Sequence, residues 1–335
     1  MKRYARDKRV ERKFFVLLLV LAVVIVAGYC LGRYFEVRER KPETRGEYNA
    51  NEQSETIVYD SKTYQRRKNQ TSILLMGIDQ DADQASTARM GGGQADFLEL
   101  IVIDDDAQTV LRLPIDRDTM TQISVLGVLG NLSGVRTAQI SLSHGFGDGK
   151  EQSCELTVQA VSNLLQGLEP DFYIAMNLDG IDVLNDLSGG VTVTLEDDFS
   201  EFDAEMTKGT TLTLQGHQAE IYVRSRMSVG EGTNSARMSR QEAYLEQLMV
   251  QLDAKMRENQ NFTSELFDGL QDYLTTDINR GRLINLVWGA RDYERKEAYS
   301  IAGEHKVGSD GFMQFYADED AVAELVLEMC YKEVQ

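Results

Sequence analysis

Cysteine is nearly absent from this chain. Its 335 residues hold three, Cys30, Cys154 and Cys330, too few and too scattered for a disulfide framework or a zinc site. Cys30 lies in an apolar run, and Cys154 and Cys330 read as two buried thiols rather than a bridge. Proline is as scarce, with three, and there is one tryptophan, which suits a single helix-and-sheet domain and not a Pro-rich modular protein. Net positive charge is missing too. A formal charge of -19 repels phosphate backbones and argues against nucleic acid as a partner. What is present is a hydrophobic share of 42%, enough for a substantial core and too much for global disorder.

The amino terminus faces a membrane. "FFVLLLVLAVVIVAGYCLG", residues 14–32, holds 19 residues without a charge, long enough to cross a bilayer core as a helix. Residues 1–13 carry seven Lys/Arg against two acids, so this basic tail stays in the cytoplasm and the rest lies outside. A cleaved signal peptide is the rival reading; the run is longer than a usual h-region and no clean A-x-A site follows it. Residues 33–70 are polar and mixed in charge and read as an extracellular stalk, partly ordered near its end. Fully extended, such a stalk reaches on the order of 100 Å. The chain beyond the anchor is more acidic than the whole.

Strand and helix signals alternate from residue 71 to residue 335 and predict an α/β domain, an α–β–α sandwich with a mixed central sheet, preceded by one N-terminal transmembrane helix. "SILLMGI" (72–78) and "FLELIVI" (97–103) are strands on either side of a Gly-rich loop, and "TVLRL" (109–113) pairs back as a hairpin. Ser153 is positioned to cap a helix. "FYIAMN" and "GVTVTL" are strands, with a short helix between them. A long helix is expected from about Ser235 to about Met256, with Tyr244, Leu245, Leu248, Met249 and Leu252 on one stripe. Beyond it the pattern suggests two or three helices around a strand near "EAYSIAG".

Against this acidic background, "YVRSRMSVGEGTNSARMSRQ" (222–241) gathers Arg224, Arg226, Arg237 and Arg240 with one acid, Glu231. Arg237, Arg240 and Gln241, at i, i+3 and i+4, share a helix face. They lie in the first turns, where the macrodipole disfavours cations by some tenths of a kcal/mol unless an anion intervenes. Positive groups with free backbone N–H groups at a helix start form a phosphate or pyrophosphate site. The plainer alternative is a solvated face paired with acids from elsewhere.

"SILLMGIDQD", "ADFLELIVID", "LPIDRDTMTQI", "GGVTVTL", "LQGHQAEIYVRSR" and "RMSRQ", in this order, resemble the LytR-CpsA-Psr family, also called the cell envelope-related transcriptional attenuator domain. The motif core covers about 71–250. The resemblance implies an extracellular enzyme that moves glycopolymers, such as teichoic acids or capsules, from a polyprenyl-pyrophosphate lipid to peptidoglycan, helped by Mg2+. It assigns Asp79 and Asp96 to the metal; two carboxylates suit Mg2+, which prefers oxygen ligands shared with phosphates. It assigns Arg117, Arg224, Arg226 and Arg237 to catalysis and pyrophosphate binding, and Arg240 and Gln241 to the same pyrophosphate. Asp118 follows Arg117 as in the family's "RDT", although Ile115 and Asp116 separate Pro114 from Arg117 where the common pattern has none.

Three positions depart from the pattern. Gln94 precedes Asp96 where the family often has arginine, Gln139 replaces a lysine, and Asn234 replaces an aspartate. Arg89 in the Gly-rich loop, or Arg136, is a substitute for the missing charge. The departures favour a rival, a non-catalytic lipid-phosphate-binding or scaffold protein; a lipid pyrophosphatase is a third reading. His144 reads as a packed or loop histidine before it reads as a base, and "GFGDGK" lacks P-loop spacing. The topology is directly testable. Protease added to wall-stripped intact cells should digest the outer domain while a cytoplasmic marker survives; survival of both would overturn the orientation.

Overall fold

The computed structural model describes residues 56–80, 92–127, 130–225, 229–230, 234–259 and 261–334. The basic tail, the apolar run, residues 33–55 of the stalk and Arg89 lie outside the described residues. Among those described, no helix is long and apolar enough to cross a membrane.

Strands β1 (Thr56–Tyr59), β2 (Lys62–Arg66), β3 (Gln70–Asp79), β4 (Gln94–Asp104), β5 (Thr109–Pro114), β6 (Met120–Leu126) and β7 (Leu132–Gln139) come first. Helix α1 (Glu151–Leu164) leads to β8 (Phe172–Asn177), α2 (Asp179–Ser188), β9 (Thr192–Thr194), β10 (Thr211–Thr213) and α3 (Gln218–Arg224). Then follow α4 (Asn234–Glu258), α5 (Phe262–Leu270), β11 (Leu274–Thr276), α6 (Arg280–Ala290) and β12 (Glu294–Arg295). The hairpin β13 (Gly303–Val307) and β14 (Met313–Ala317), helix α7 (Glu319–Cys330) and β15 (Tyr331–Val334) come last. The central sheet runs β11-β8-β3-β4-β5-β12, an α/β fold around a mixed sheet.

Two compact units divide the described residues: 79–80 with 174–295, and 56–78 with 92–173 and 296–334. In the latter, β3 is buried along almost its whole length, as its continuous apolar run demands of a strand covered on both faces. Gly77 lets β4 approach closely, since a Cβ there would stand 3.0 Å from Phe97 Cβ. β4 and β5 form the expected antiparallel hairpin, with Leu100 opposite Leu113. Asp104 Oδ1 accepts the Ala107 N–H at 2.8 Å and closes the turn.

Helix α1 packs on the β6–β7 hairpin, where Ser124 Oγ donates to Gln159 Oε1 at 2.7 Å. The helix starts three residues earlier than a Ser153 cap requires. Ser153 is buried within its first turn, and its Oγ accepts the Gly149 N–H at 2.8 Å, tying down the preceding loop. Cys154 and Cys330 are free and buried, and burial pushes the Cys330 thiol up to about 12. The end of the expected stalk is folded: β1 and β2 join through Asp60 and Ser61, both at positive φ, and β2 pairs with β15. No strand forms over 297–302. Instead the Lys296 and Tyr299 N–H groups donate to Val110 O and Arg112 O, and the regular hairpin begins at Gly303.

In the other unit, β8 pairs antiparallel with β11. Helix α4 buries Tyr244, Leu248 and Leu252, the stripe its period predicts. Asn185 is a buried polar node. Its Nδ2 donates to Leu214 O at 2.8 Å, while its Oδ1 accepts the Val191 N–H at 3.1 Å and the Tyr244 hydroxyl at 3.3 Å. Gly189, at φ 93, ends α2 in the left-handed conformation, the glycine C-cap expected of "SGGV".

The strand that carries Asp96 also carries a buried ion pair. Glu99 is 1% exposed, and Arg112 Nε donates to its Oε1 at 2.6 Å. Burial pushes the Glu99 carboxyl up, and the Arg112 charge opposes this in part. Arg112→Ala strands that carboxylate and should destabilise the fold by roughly 3–5 kcal/mol. Replacing both residues by leucine should recover most of the loss in urea unfolding. An unchanged midpoint for the single variant would contradict the pairing.

Candidate functional site

Arg224 closes helix α3, at the C-terminal end, which favours a cation. Its side chain is 48% exposed; Nη1 donates to Glu220 Oε1 at 2.8 Å, one turn back, and Nη2 to Asp79 Oδ1 at 3.2 Å. Asp79 ends β3, where the buried strand emerges. Glu220 is buried. Its Oε2 lies 2.9 Å from His217 Nδ1, which in turn lies 3.3 Å from Asp182 Oδ2. Burial pushes the Asp182 carboxyl up. One guanidinium thus faces two carboxylates, with a third close by.

Arg237 is half-buried in the first turn of α4, and Arg240 and Gln241 stand one turn further on. Arg240 is placed differently from a pyrophosphate ligand. Its side chain is 7% exposed. Nε donates to Tyr222 O at 3.3 Å, Nη2 to Ser225 O, and Nη1 to Asp197 Oδ2 at 3.1 Å. The guanidinium also lies over the Phe199 ring, 5.3 Å from its centre. Gln241 Nε2 donates to Val223 O at 3.1 Å. Both side chains therefore bind carbonyls at the end of α3, which have no intrahelical partner. Arg226 lies outside the described residues.

In the second unit, Arg117 follows β5. Its Nη1 lies 2.5 Å from Asp96 Oδ1, its Nη2 donates to Gln94 Oε1 at 2.6 Å, and its Nε is 3.7 Å from Asp118 Oδ1. Gln139 Nε2 donates to that same Asp118 oxygen at 3.0 Å and to Met313 O at 2.7 Å. Here again one guanidinium faces two carboxylates. Two of the three departures from the family pattern, Gln94 and Gln139, thus keep hydrogen bonds in this cluster while bringing no charge. Arg136 stacks over the Phe146 ring at 4.8 Å.

His144 is buried. Its Nδ1 contacts Gly92 O and its Nε2 lies 3.8 Å from Cys154 Sγ. Burial pulls its pKa down, so the ring is neutral and packed. Gly92, at the exit of the Gly-rich loop, has no room for a Cβ against the His144 carbonyl. Glu220 and Asp197 were not singled out from the sequence. The i, i+4 spacing of Glu220 to Arg224 was a usable signal; Asp197 offered none.

Residues 33–329 match the model of the LytR_cpsA_psr family. Polyisoprenyl-teichoic acid–peptidoglycan teichoic acid transferase TagU of Bacillus licheniformis is 26% identical over 264 residues, 77% of this chain and 76% of its own. The crystal structure of TagV from B. subtilis superposes with a TM-score of 0.57 at 25% identity, over 78% of this chain and 97% of that one. Protein gbs0355 from Streptococcus agalactiae reaches a TM-score of 0.62 at 20% identity, over 78% and 86%, a likeness of fold alone.

The exposure of the two arginines separates them experimentally. A half-exposed ion pair contributes about 0–1 kcal/mol, so Arg224→Ala should melt close to the unchanged protein. Arg240→Ala leaves a part-buried Asp197 and two carbonyls without their donor and should cost roughly 1–3 kcal/mol. The reverse order in thermal melts would make Arg224 the framework residue.

Proposed function

Because the chain belongs to the LytR_cpsA_psr family, we propose that it is a membrane-anchored phosphotransferase of cell-wall assembly. Its donor is a glycopolymer of the teichoic-acid kind on a polyprenyl pyrophosphate, and its acceptor is peptidoglycan. Residues 14–32 anchor it once in the cell membrane, with residues 1–13 in the cytoplasm and the catalytic domain outside. The observation that carries this reading is the pairing of two family arginines with the two family aspartates: Arg224 with Asp79, and Arg117 with Asp96. Guanidinium groups held by exchangeable carboxylates are a store of forked donors for phosphate oxygens.

In the reaction, an acceptor hydroxyl attacks the phosphorus that bears the glycan. The P–O–P bond breaks, polyprenyl monophosphate leaves, the hydroxyl proton is lost, and the glycan is joined through a phosphodiester. Arg224 and Arg237 take the charge that grows on the leaving phosphate, and Arg117 orients the phosphoryl group. Asp79 and Asp96, each in its own unit, would be the residues to offer oxygen ligands to Mg2+. They fit it, because each is an oxygen donor in a cluster where carboxylates outnumber the guanidinium. Bound Mg2+ supplies neutralisation of the pyrophosphate charge.

A second reading, a lipid-phosphate-binding scaffold without turnover, is favoured by the neutral Gln94 and Gln139 beside Arg117 and Asp118. One experiment separates the two. Detergent-solubilised full-length protein is given lipid-linked teichoic acid and peptidoglycan, with Mg2+ or with chelator. Transfer should require Mg2+, and Arg224→Ala and Arg117→Ala should each lose about 10²–10³ in rate. Tight donor binding without product would establish the scaffold, and polyprenyl monophosphate released without acceptor would establish a pyrophosphatase.

A further inference from the structure

We propose that Arg240, together with Asp197, is a positioning residue: it fixes the end of α3 against the start of α4 and so sets where the Arg224 and Arg237 guanidinium groups stand. The inference rests on the pyrophosphate reading above for its consequence, though not for its geometry.

Three observations lead here. First, the acceptors of Arg240 belong to the backbone on either side of Arg224: Tyr222 O before it and Ser225 O after it. Gln241 takes Val223 O between them. The segment that presents Arg224 is therefore held at three carbonyls from the helix that carries Arg237. Second, Asp197 serves two elements. It accepts from Arg240 Nη1 at 3.1 Å, and its carboxylate lies so close to Gly230 that a Cβ there would collide with it. Gly230 sits at φ 55, beside the buried Val229, in the connection between α3 and α4. Third, the guanidinium is enclosed. It lies over Phe199, which is itself in contact with the Tyr222 ring at 5.7 Å between centres.

This geometry requires arginine. Three acceptors in different directions match the planar fork, whereas lysine offers a compact ammonium that cannot span them. It also separates Arg240 from the phosphate ligands. To turn outward, the buried Arg240 side chain would abandon a part-buried carboxylate and two carbonyls at once, each costly to leave unmade. Arg224 is half-exposed, held by the buried Glu220 on one side and by the half-exposed Asp79 on the other, so its Asp79-facing nitrogen can exchange partners at little cost.

The test uses the full-length protein in detergent, with farnesyl pyrophosphate as probe. Kd is measured for Arg240→Lys, Arg224→Ala and the double variant, at a temperature where all are folded. With Arg224 present, Arg240→Lys should weaken binding roughly tenfold, and with Arg224 already removed by less than about twofold, because the effect travels through Arg224. Equal weakening in both backgrounds would make Arg240 a direct ligand. Lower melting with unchanged Kd would make it a stabilising residue only. Either result overturns the proposal. If Arg240→Lys does not fold, Asp197→Asn, which keeps the shape and removes the charge, carries the same comparison. Hydrogen exchange at amides 222–225 is read in parallel and needs no lipid. It should accelerate in Arg240→Lys but not in Arg224→Ala, and equal protection would refute the positioning role. Faster exchange in a protein that never binds the probe would instead count against the pyrophosphate reading alone.

Discussion

Arginine keeps its charge at every pH a protein meets, so arginines that are near one another must each find anions or acceptors. Three described arginines satisfy this constraint, and each does so with partners from elsewhere in the chain. Arg240 takes Asp197 and two carbonyls. Arg224 takes Glu220 and Asp79, and Arg117 takes Asp96 and Asp118. The acidity of the chain and its basic stretch are thus one arrangement: the near absence of carboxylates between 222 and 241 leaves Arg224 and Arg240 to be met by Asp79 at the end of β3, Glu220 within α3 and Asp197 after β9. The choice posed by the sequence, an anion site or arginines paired with acids, has a divided answer. Asp197 and two carbonyls account for Arg240, while Arg224 is paired with acids yet stays half-exposed.

Much of the fold was legible because burial on both faces leaves an unbroken apolar run. β3, β4, β5 and β8 were marked this way, and the stripe on α4 by its 3.6 period. What escaped was set by distant partners. Strand β2 pairs with β15, with Thr63 opposite Val334, and nothing near either strand announces the other. In the β6–β7 and β13–β14 hairpins, β7 and β13 carry exposed, mixed residues, so these strands lack an apolar signal. The site divides in the same way. The shared face of Arg237, Arg240 and Gln241 followed from spacing, but the burial of Arg240 depends on Asp197, 43 positions away, and on backbone carbonyls that no side-chain pattern records.

The departures from the family pattern acquire a physical meaning from their contacts. Gln94 accepts from Arg117, and Gln139 donates to Asp118. An amide at each position preserves a hydrogen bond and removes a positive charge. The scaffold around Arg117 is retained while the field it contributes to is weaker, so a larger share of any charge stabilisation falls on Arg117 itself.

Exposure then decides which arginine can work. A ligand phosphate must compete with the groups already holding the guanidinium. At Arg224 the bond to Asp79 is a partly solvated pair worth about 0–1 kcal/mol, and charge-assisted bonds to phosphate are stronger than that. At Arg240 the guanidinium itself is enclosed and meets three acceptors at once, so releasing them leaves a part-buried carboxylate and two backbone oxygens without their donor. On the proposed function, the same side chain serves as framework where it is enclosed and as a phosphate donor where it is half-open. The framework arginine is not spare: by holding the carbonyls on both sides of Arg224, it limits how far the working guanidinium can drift before an anion arrives, and preorganised donors need no further ordering when charge develops.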